Sequence, residues 1–262
     1  MRYYHVTYAS VRRLVLFPDE AARRAGVRCI DRIAGDRTVL FSGVDDHLHD
    51  VLVCLPERIG VVAGAVLRAL RCVVPVELEP PHIRPVENRR HLTWLVEYCA
   101  KQTGKHGIHV DGALWTGSCF QDIVGARRLP RYSPELLREA LPRLHANEVL
   151  RMLGMEPADL RCSDDLLRHE GAARIVAAAA ASLAVGPLLI GRGSAVAEAR
   201  AAAVHLATAA GIPRSEIGWA TELTRQRIGQ ILRTTVDPAT LAAARRRLAL
   251  ENAVRARRGA AS

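Results

Sequence analysis

Residues 45–54 read Asp45-Asp46-His47-Leu48-His49-Asp50-Val51-Leu52-Val53-Cys54. The β-branched and leucine content of this run, bounded by an Asp-Asp pair, is strand chemistry. In a strand, side chains at i and i+2 point the same way. His47 and His49 therefore share one face, and Leu48 and Leu52 share the other. Just upstream, Arg37–Val44 (RTVLFSGV) reads as a second strand, joined to the first through a tight Asp45-Asp46 connection.

Outward from this hairpin the pattern alternates between strand and helix. Tyr3–Ala9 (YYHVTYA) is a short β-prone run. Pro18–Ile33 has helical spacing, with Ala21, Ala25 and Cys29 on one side, and Ile59–Leu70 is helical again. Cys72–Pro80 (CVVPVELEP) is predicted as a strand, with Pro75 marking an edge position. Asn88–Lys105 is predicted as one helix. The order β-α-β-β-α-β plus a helix is the ferredoxin-like, split βαβ pattern, an antiparallel sheet with helices on one face. After about Gly125 the chain becomes helix-prone and Ala-rich, with a linker at Pro130–Pro134. The expectation is an α+β chain, with a ferredoxin-like (βαββαβ) domain over 1–125 and an all-α domain over 126–262.

Composition narrows the function classes. A chain of 262 residues can bury a core in one large or two modest domains. With 49% hydrophobic and 24% charged residues it is globular, not disordered. None of the cysteines, Cys29, Cys54, Cys72, Cys99, Cys119 and Cys162, forms a C-x-x-C pair, and most lie in apolar runs, which speaks against a disulfide framework or a structural zinc. The opening MRYYHVTYAS has no apolar signal core, and Ile175–Ile190 is too short and Ala-rich for a membrane span. A cytoplasmic location without a membrane partner is expected. The formal net charge of +10, mostly arginine, favours a polyanion such as nucleic acid.

Two segments carry chemistry. Imidazoles two residues apart on a strand lie about 6–7 Å apart and can converge on one divalent cation. In HLTWLVEYCAKQTGKHG, Tyr98 and Gln102 are i and i+4 on a helix and flank its core stripe of Leu92, Leu95, Val96 and Cys99. The histidine strand, the following helix, a further strand and the Tyr-x-x-x-Gln helix together resemble the single-tyrosine HUH transposases, in particular the REP-associated branch. YYHVTYASVRRLVLF and KHGIHVDGALWTGSCF also look like that family's first strand with its loop and the segment after its catalytic helix, so the resemblance covers about residues 1–125. The family's usual Pro-Asn pair before the first histidine is replaced here by Asp45-Asp46, and its common Asn-Pro after the amide is missing.

The resemblance implies that His47, His49 and Gln102 bind Mg²⁺ or Mn²⁺ and that Tyr98 is the nucleophile. It implies cleavage of single-stranded or hairpin DNA through a 5′-phosphotyrosine with release of a 3′-OH, in transposition or a domesticated derivative of it. A phenol titrates near ~10 and needs activation at neutral pH, which a cation on the scissile phosphate complements. A nucleoid-associated location follows, and a homodimer is one admitted assembly, since some relatives complete their sites across a dimer. Lys101 and Lys105, with Arg89 and Arg90, are candidates for the DNA backbone. His106 and His109 are read as structural ahead of a substrate contact, and Trp94 and Trp115 as core residues ahead of stacking on unpaired bases.

Near the other end, IPRSEIGWATELTRQRIGQILRTT follows Gly211. Ile217, Ala220, Leu223, Ile228 and Ile231 have the spacing of a helix-turn-helix core over about 212–234, and Thr224 suits the N-cap of the second helix. Arg225, Gln226, Arg227 and Gln230 then face outward, where Arg and Gln pair with base edges of duplex DNA. This resembles bacterial helix-turn-helix modules and, with the Ala-rich helix before it, the C-terminal DNA-binding domain of the replication initiator. Glu222 stands at the turn position that usually carries Gly. The rival reading is a non-catalytic DNA-binding regulator. An RNA-binding module ranks last, because the aromatic sheet motif of the usual RNA readers is missing.

Overall fold

In the computed structural model, which describes residues 1–260, four strands form one antiparallel sheet: β1 (Arg2–Ala9), β2 (Thr38–Val44), β3 (His47–Cys54) and β4 (His82–Pro85), in the order β2-β3-β1-β4. The β2–β3 hairpin turns through two residues. Asp45 takes φ 55°, a left-handed conformation that Asp tolerates better than most residues. The register places Thr7 opposite His49 and Tyr8 opposite Leu48. Directly opposed residues share a face. One face thus carries Tyr4, Val6, Tyr8, Leu48, Asp50 and Leu52. The other carries His5, Thr7, His47 and His49 and, from β4, Arg84 opposite His5 and His82 opposite Thr7.

Helix α1 (Glu20–Ala34), capped by Asp19, buries Val27, Ile30 and Ala34 and packs against α2 (Ile59–Leu70). Both serve the Tyr8–Leu48 face, where the Tyr8 hydroxyl donates to the Ala63 carbonyl at 3.5 Å. Helix α3 (Arg89–Ala100) starts at an Asn88 N-cap that accepts from the His91 N–H at 3.0 Å. Its stripe of Leu92, Leu95, Val96 and Cys99 is buried as expected, and it lies on the histidine face, opposite α1 and α2, rather than on one common helical face. Two further details differ from expectation. The fourth strand falls at 82–85 instead of 72–80, where only Leu78 bridges to Ser10. Pro75, Pro80 and Pro81 offer no N–H and restrict the residues before them, so regular pairing begins after them. The expected 88–105 helix breaks at Lys101, and Gln102–Lys105 form a separate turn, α4.

The chain divides into two units. The first joins Met1–Val124 to Leu129–Met155, and the second joins Gly125–Arg128 to the described residues from Glu156 onward. Residues 129–155, read from sequence as part of the helical half, thus belong with the sheet. They hold α6 (Glu135–Ala140) and α7 (Ala146–Met152), after α5 (Phe120–Ile123). Tyr132 explains the placement. Its hydroxyl donates to the Val39 carbonyl at 3.1 Å, its N–H to Asp31 at 2.8 Å, and its ring meets Phe41 edge-on.

The second unit is all helix among its described residues. Helices α8 (Asp164–Ser182) and α9 (Ser194–Ala209) pack through alanines, with Ala178, Ala179, Ala180, Ala199, Ala202 and Ala203 buried. Small side chains let the two backbones approach. Gly171 kinks α8 at φ 75°, and Glu216 accepts the Ala172 N–H that the kink frees, at 3.0 Å. Helices α10 (Arg214–Thr221) and α11 (Arg225–Ile231) follow, then the long α12 (Pro238–Ala260). Ile217, Ile228 and Ile231 are buried, and Ala220 and Leu223 pack against them. The Thr224 hydroxyl caps α11, accepting from the Arg227 N–H at 3.2 Å. Between the two helices Glu222 is held at φ 55°, the left-handed region where glycine is at ease. All six cysteines are free, and no helix among the described residues is long and apolar enough to cross a membrane.

Asp50 is an anomaly in the first unit's core. It is fully buried and neither carboxyl oxygen is hydrogen-bonded, the Thr38 hydroxyl lying beside it outside hydrogen-bonding geometry. Burial raises its pKa to about 8. The folded state thus holds a proton that the unfolded chain releases near 3.8, and the stability this gives at low pH is lost as pH rises toward 8. The low-pKa histidines His5 and His49 act in the opposite sense only below their unfolded value of 6.5. Between pH 6.5 and 8, Asp50→Asn is therefore expected to remove a stability loss of about 2 kcal/mol, by the slope of 1.36 kcal/mol per pH unit per proton. Chemical denaturation at the two pH values checks this; equal pH dependence in both proteins would contradict it.

Candidate active site

The histidine face of the sheet supplies the polar cluster. His47 and His49 leave β3 on the same side, with ring centroids 4.7 Å apart. His47 Nδ1 lies 2.6 Å from the Asp46 carboxylate. A carboxylate can only accept, so Nδ1 carries the hydrogen and the lone pair sits on Nε2. His49 Nδ1 lies 3.0 Å from Nε2 of His5 on the neighbouring strand, and 3.4 Å from the Thr7 hydroxyl. In the tautomer that donates from Nδ1 to His5, His49 likewise presents an Nε2 lone pair. Burial, reinforced by the charges of His47, His5, His106 and Lys105, lowers the His49 pKa to about 3. Burial, with His91, Arg84 and His82, lowers that of His5 to about 4. Both rings are neutral at physiological pH, the form that binds metals.

Helix α3 delivers Tyr98 to this face. Its ring lies 5.3 Å from that of His49, nearly perpendicular, and Lys105 Nζ stands 5.4 Å from the ring centroid. The chain contains only two lysines, Lys101 and Lys105, and they bracket the turn that holds Gln102. The break at Lys101 turns Gln102 inward. It is 1% exposed, and its Nε2 donates to the Tyr98 carbonyl at 3.3 Å. After that turn comes His106, whose ring is 5.3 Å from His47 and whose Nδ1 lies 3.2 Å from Asp45. Gln102 is therefore carried between two residues that each touch a β3 histidine.

His47 Nε2, His49 Nε2 and Gln102 Oε1 are buried without a hydrogen-bond partner. Unpaired buried acceptors cost about 1–3 kcal/mol each, and a bound cation would satisfy all three. No group of three or more His, Cys, Asp or Glu side chains suited to a metal occurs among the described residues; the donor set here is two imidazoles and one carboxamide. Such N,N,O donors suit Mn²⁺ and admit Mg²⁺, with positions left for phosphate oxygens.

The remaining expected residues divide clearly. Lys101 is exposed at the end of α3. On α11, Arg225, Gln226, Arg227 and Gln230 are all exposed, and Arg227 donates to Gln230 at 2.9 Å. They lie in the other unit and form a separate polar surface. Trp115 is buried and donates to the Gly43 carbonyl at 2.8 Å, as a core residue should. Trp94 is 53% exposed and stacks on Tyr98, contrary to the core expectation. Sequence reading passed over His5 and Asp46 as partners of the β3 histidines. Alternation alone puts His5 and Thr7 on one face of β1, but only the β1–β3 register sets that face beside His49.

Because a ligand histidine is oriented by the partner of its other nitrogen, loss of that partner typically weakens metal binding about 10–100-fold. His5→Phe is expected to lower Mn²⁺ affinity in this range, and His47→Ala or His49→Ala to abolish it, in calorimetric or paramagnetic-resonance titrations. Unchanged affinity in His5→Phe would contradict the arrangement. Comparison of the chain with protein-family models, with curated proteins and with solved structures gives no match.

Proposed function

We propose that this chain is a metal-dependent single-stranded DNA endonuclease and strand transferase of the single-tyrosine HUH type, acting in transposition or a domesticated derivative of it. The observation that carries the reading is that His47 Nε2, His49 Nε2 and Gln102 Oε1 are all buried without a partner, with the Tyr98 ring 5.3 Å from that of His49. The sheet order supports it: α1 links β1 to β2 with β3 between them, and α2 links β3 to β4 with β1 between them, the split βαβ arrangement of ferredoxin-like domains.

In this reading the Tyr98 oxygen, giving up its proton to solvent, attacks the scissile phosphorus. The P–O3′ bond breaks, the 3′ oxygen leaves and is protonated from solvent, and Tyr98 becomes the 5′-phosphotyrosine. A cation held by His47, His49 and Gln102 would supply charge stabilisation on the phosphate oxygens. Lys105, with its Nζ 5.4 Å from the Tyr98 ring centroid, would bring a positive charge beside the phosphate under attack. The ester keeps the energy of the broken bond, so a later 3′-OH can reverse the step and join a new strand. In the second unit the α10–α11 pair, with its capped second helix and exposed Arg225, Gln226, Arg227 and Gln230, fits a helix-turn-helix that docks on duplex DNA.

Incubation with labelled single-stranded DNA and Mn²⁺ is expected to give an adduct that survives denaturant, lost in Tyr98→Phe and at least 100-fold slower in His49→Ala. Adduct of equal yield in Tyr98→Phe would reject the nucleophile. Absence of any adduct across a library of hairpin and single-stranded substrates, with salt-sensitive duplex binding intact, would favour the non-catalytic regulator.

A further inference from the structure

The aromatic residues of α3 form a column that leaves the site. Tyr98 and Trp94 stack at 5.1 Å with only 22° between their planes. His91 continues the series, 6.2 Å from Trp94 and tilted by 52°. Trp94 is 53% exposed, unlike the buried Trp115. A tryptophan that packs into no core, yet lies flat against the candidate nucleophile, leaves a large apolar surface in water beside the reacting group.

A row of polar side chains that ends in a guanidinium crosses the same sheet face. From His49 in β3 it passes His5 in β1 and reaches Arg84 and His82 in β4. Arg84 donates to His82 Nε2 at 2.6 Å, so its partner is an acceptor without negative charge and the guanidinium charge stays uncompensated. His91, at the far end of the column, is near enough to help depress the His5 pKa. The two tracks share their start at the Tyr98–His49 contact and have similar lengths. From Tyr98 to His91 is seven helical residues, about 10 Å, and from β3 to β4 is two inter-strand spacings, also about 10 Å.

We infer that α3 and the β1–β4 side of the sheet form a subsite for unpaired nucleotides flanking the scissile phosphate. A nucleobase stacks on Trp94 while the backbone phosphates follow Arg84 and His82. This rests on the strand-cleavage reading and adds to it the group that aligns the substrate. Stacking on an aromatic ring is tolerant of base identity, so the subsite selects for strandedness: a base held in a duplex cannot present its face to Trp94.

The test uses the full-length protein with Tyr98 intact and a fluorescently labelled single-stranded oligonucleotide in EDTA, read by anisotropy. Loss of one base stack costs about 1–3 kcal/mol, or roughly 5- to 150-fold in affinity. Trp94→Ala is expected to weaken binding in that range and Trp94→Phe to restore most of it. Arg84→Ala is expected to reduce the salt dependence of binding as well as the affinity. Equal affinity of wild type and Trp94→Ala overturns the subsite, and so does failure of the wild type to bind. Self-association that Trp94→Ala abolishes, without an effect on oligonucleotide binding, overturns it in favour of an interface between copies. Adduct formation is scored separately with Mn²⁺. Adduct with Trp94-independent binding removes the subsite but keeps the nuclease, whereas Trp94-dependent binding without adduct keeps the subsite and removes the nuclease.

Discussion

A polar atom buried without a partner is among the least tolerated features of a folded protein, and here His47 Nε2 and His49 Nε2 share one sheet face, with Gln102 Oε1 buried unpaired one helical turn after Tyr98. The rest of the first unit is arranged around that tension. The β3 alternation sends His47 and His49 to the side away from α1 and α2. Asp46 and His5 occupy the Nδ1 atoms, which aims both Nε2 atoms inward. The break after α3 buries a glutamine that the pattern of a continuous helix would leave near the surface. Each of these features has its own local cost, and in the proposed reading a divalent cation would offset them together.

Much of this was legible in the chain. The hairpin, the first two helices and the stripe of α3 follow from periodicity, and the shared face of His47 and His49 follows from strand geometry alone. The sheet order was reachable from the succession of elements. What escaped was long-range. The fourth strand was displaced because three prolines delay pairing, and the sequence preferred the more β-branched run at 72–80. Residues 129–155 join the first unit through Tyr132, whose three contacts lie about 90 to 100 residues away and leave no local pattern. His5 entered the site only through the β1–β3 register. Trp94 was misjudged because an aromatic residue beside a core stripe looks the same in sequence whether it turns in or out.

The second unit shows a complementary division of labour in its own residues. Its alanine-packed helices make a rigid frame, and Glu222, like Ala184 and Leu189 after α8, is held in the left-handed region, here in the turn between α10 and α11. The Glu222 turn leads directly into the helix whose exposed face carries Arg225, Gln226, Arg227 and Gln230. In the proposed reading the two units separate the tasks of nucleic-acid processing. One supplies a pocket in which charge can develop on a phosphate, and the other supplies a surface that reads the groove of an intact duplex.

The central claim is that His47, His49 and Gln102 share one cation. Anomalous diffraction from a crystal soaked in Mn²⁺ tests it without reference to any reaction. The account predicts a single strong peak within bonding distance of both Nε2 atoms and of Gln102 Oε1, on the side of the sheet that holds Tyr98. A peak coordinated elsewhere, or an ordered pocket with no peak at saturating Mn²⁺, would contradict it.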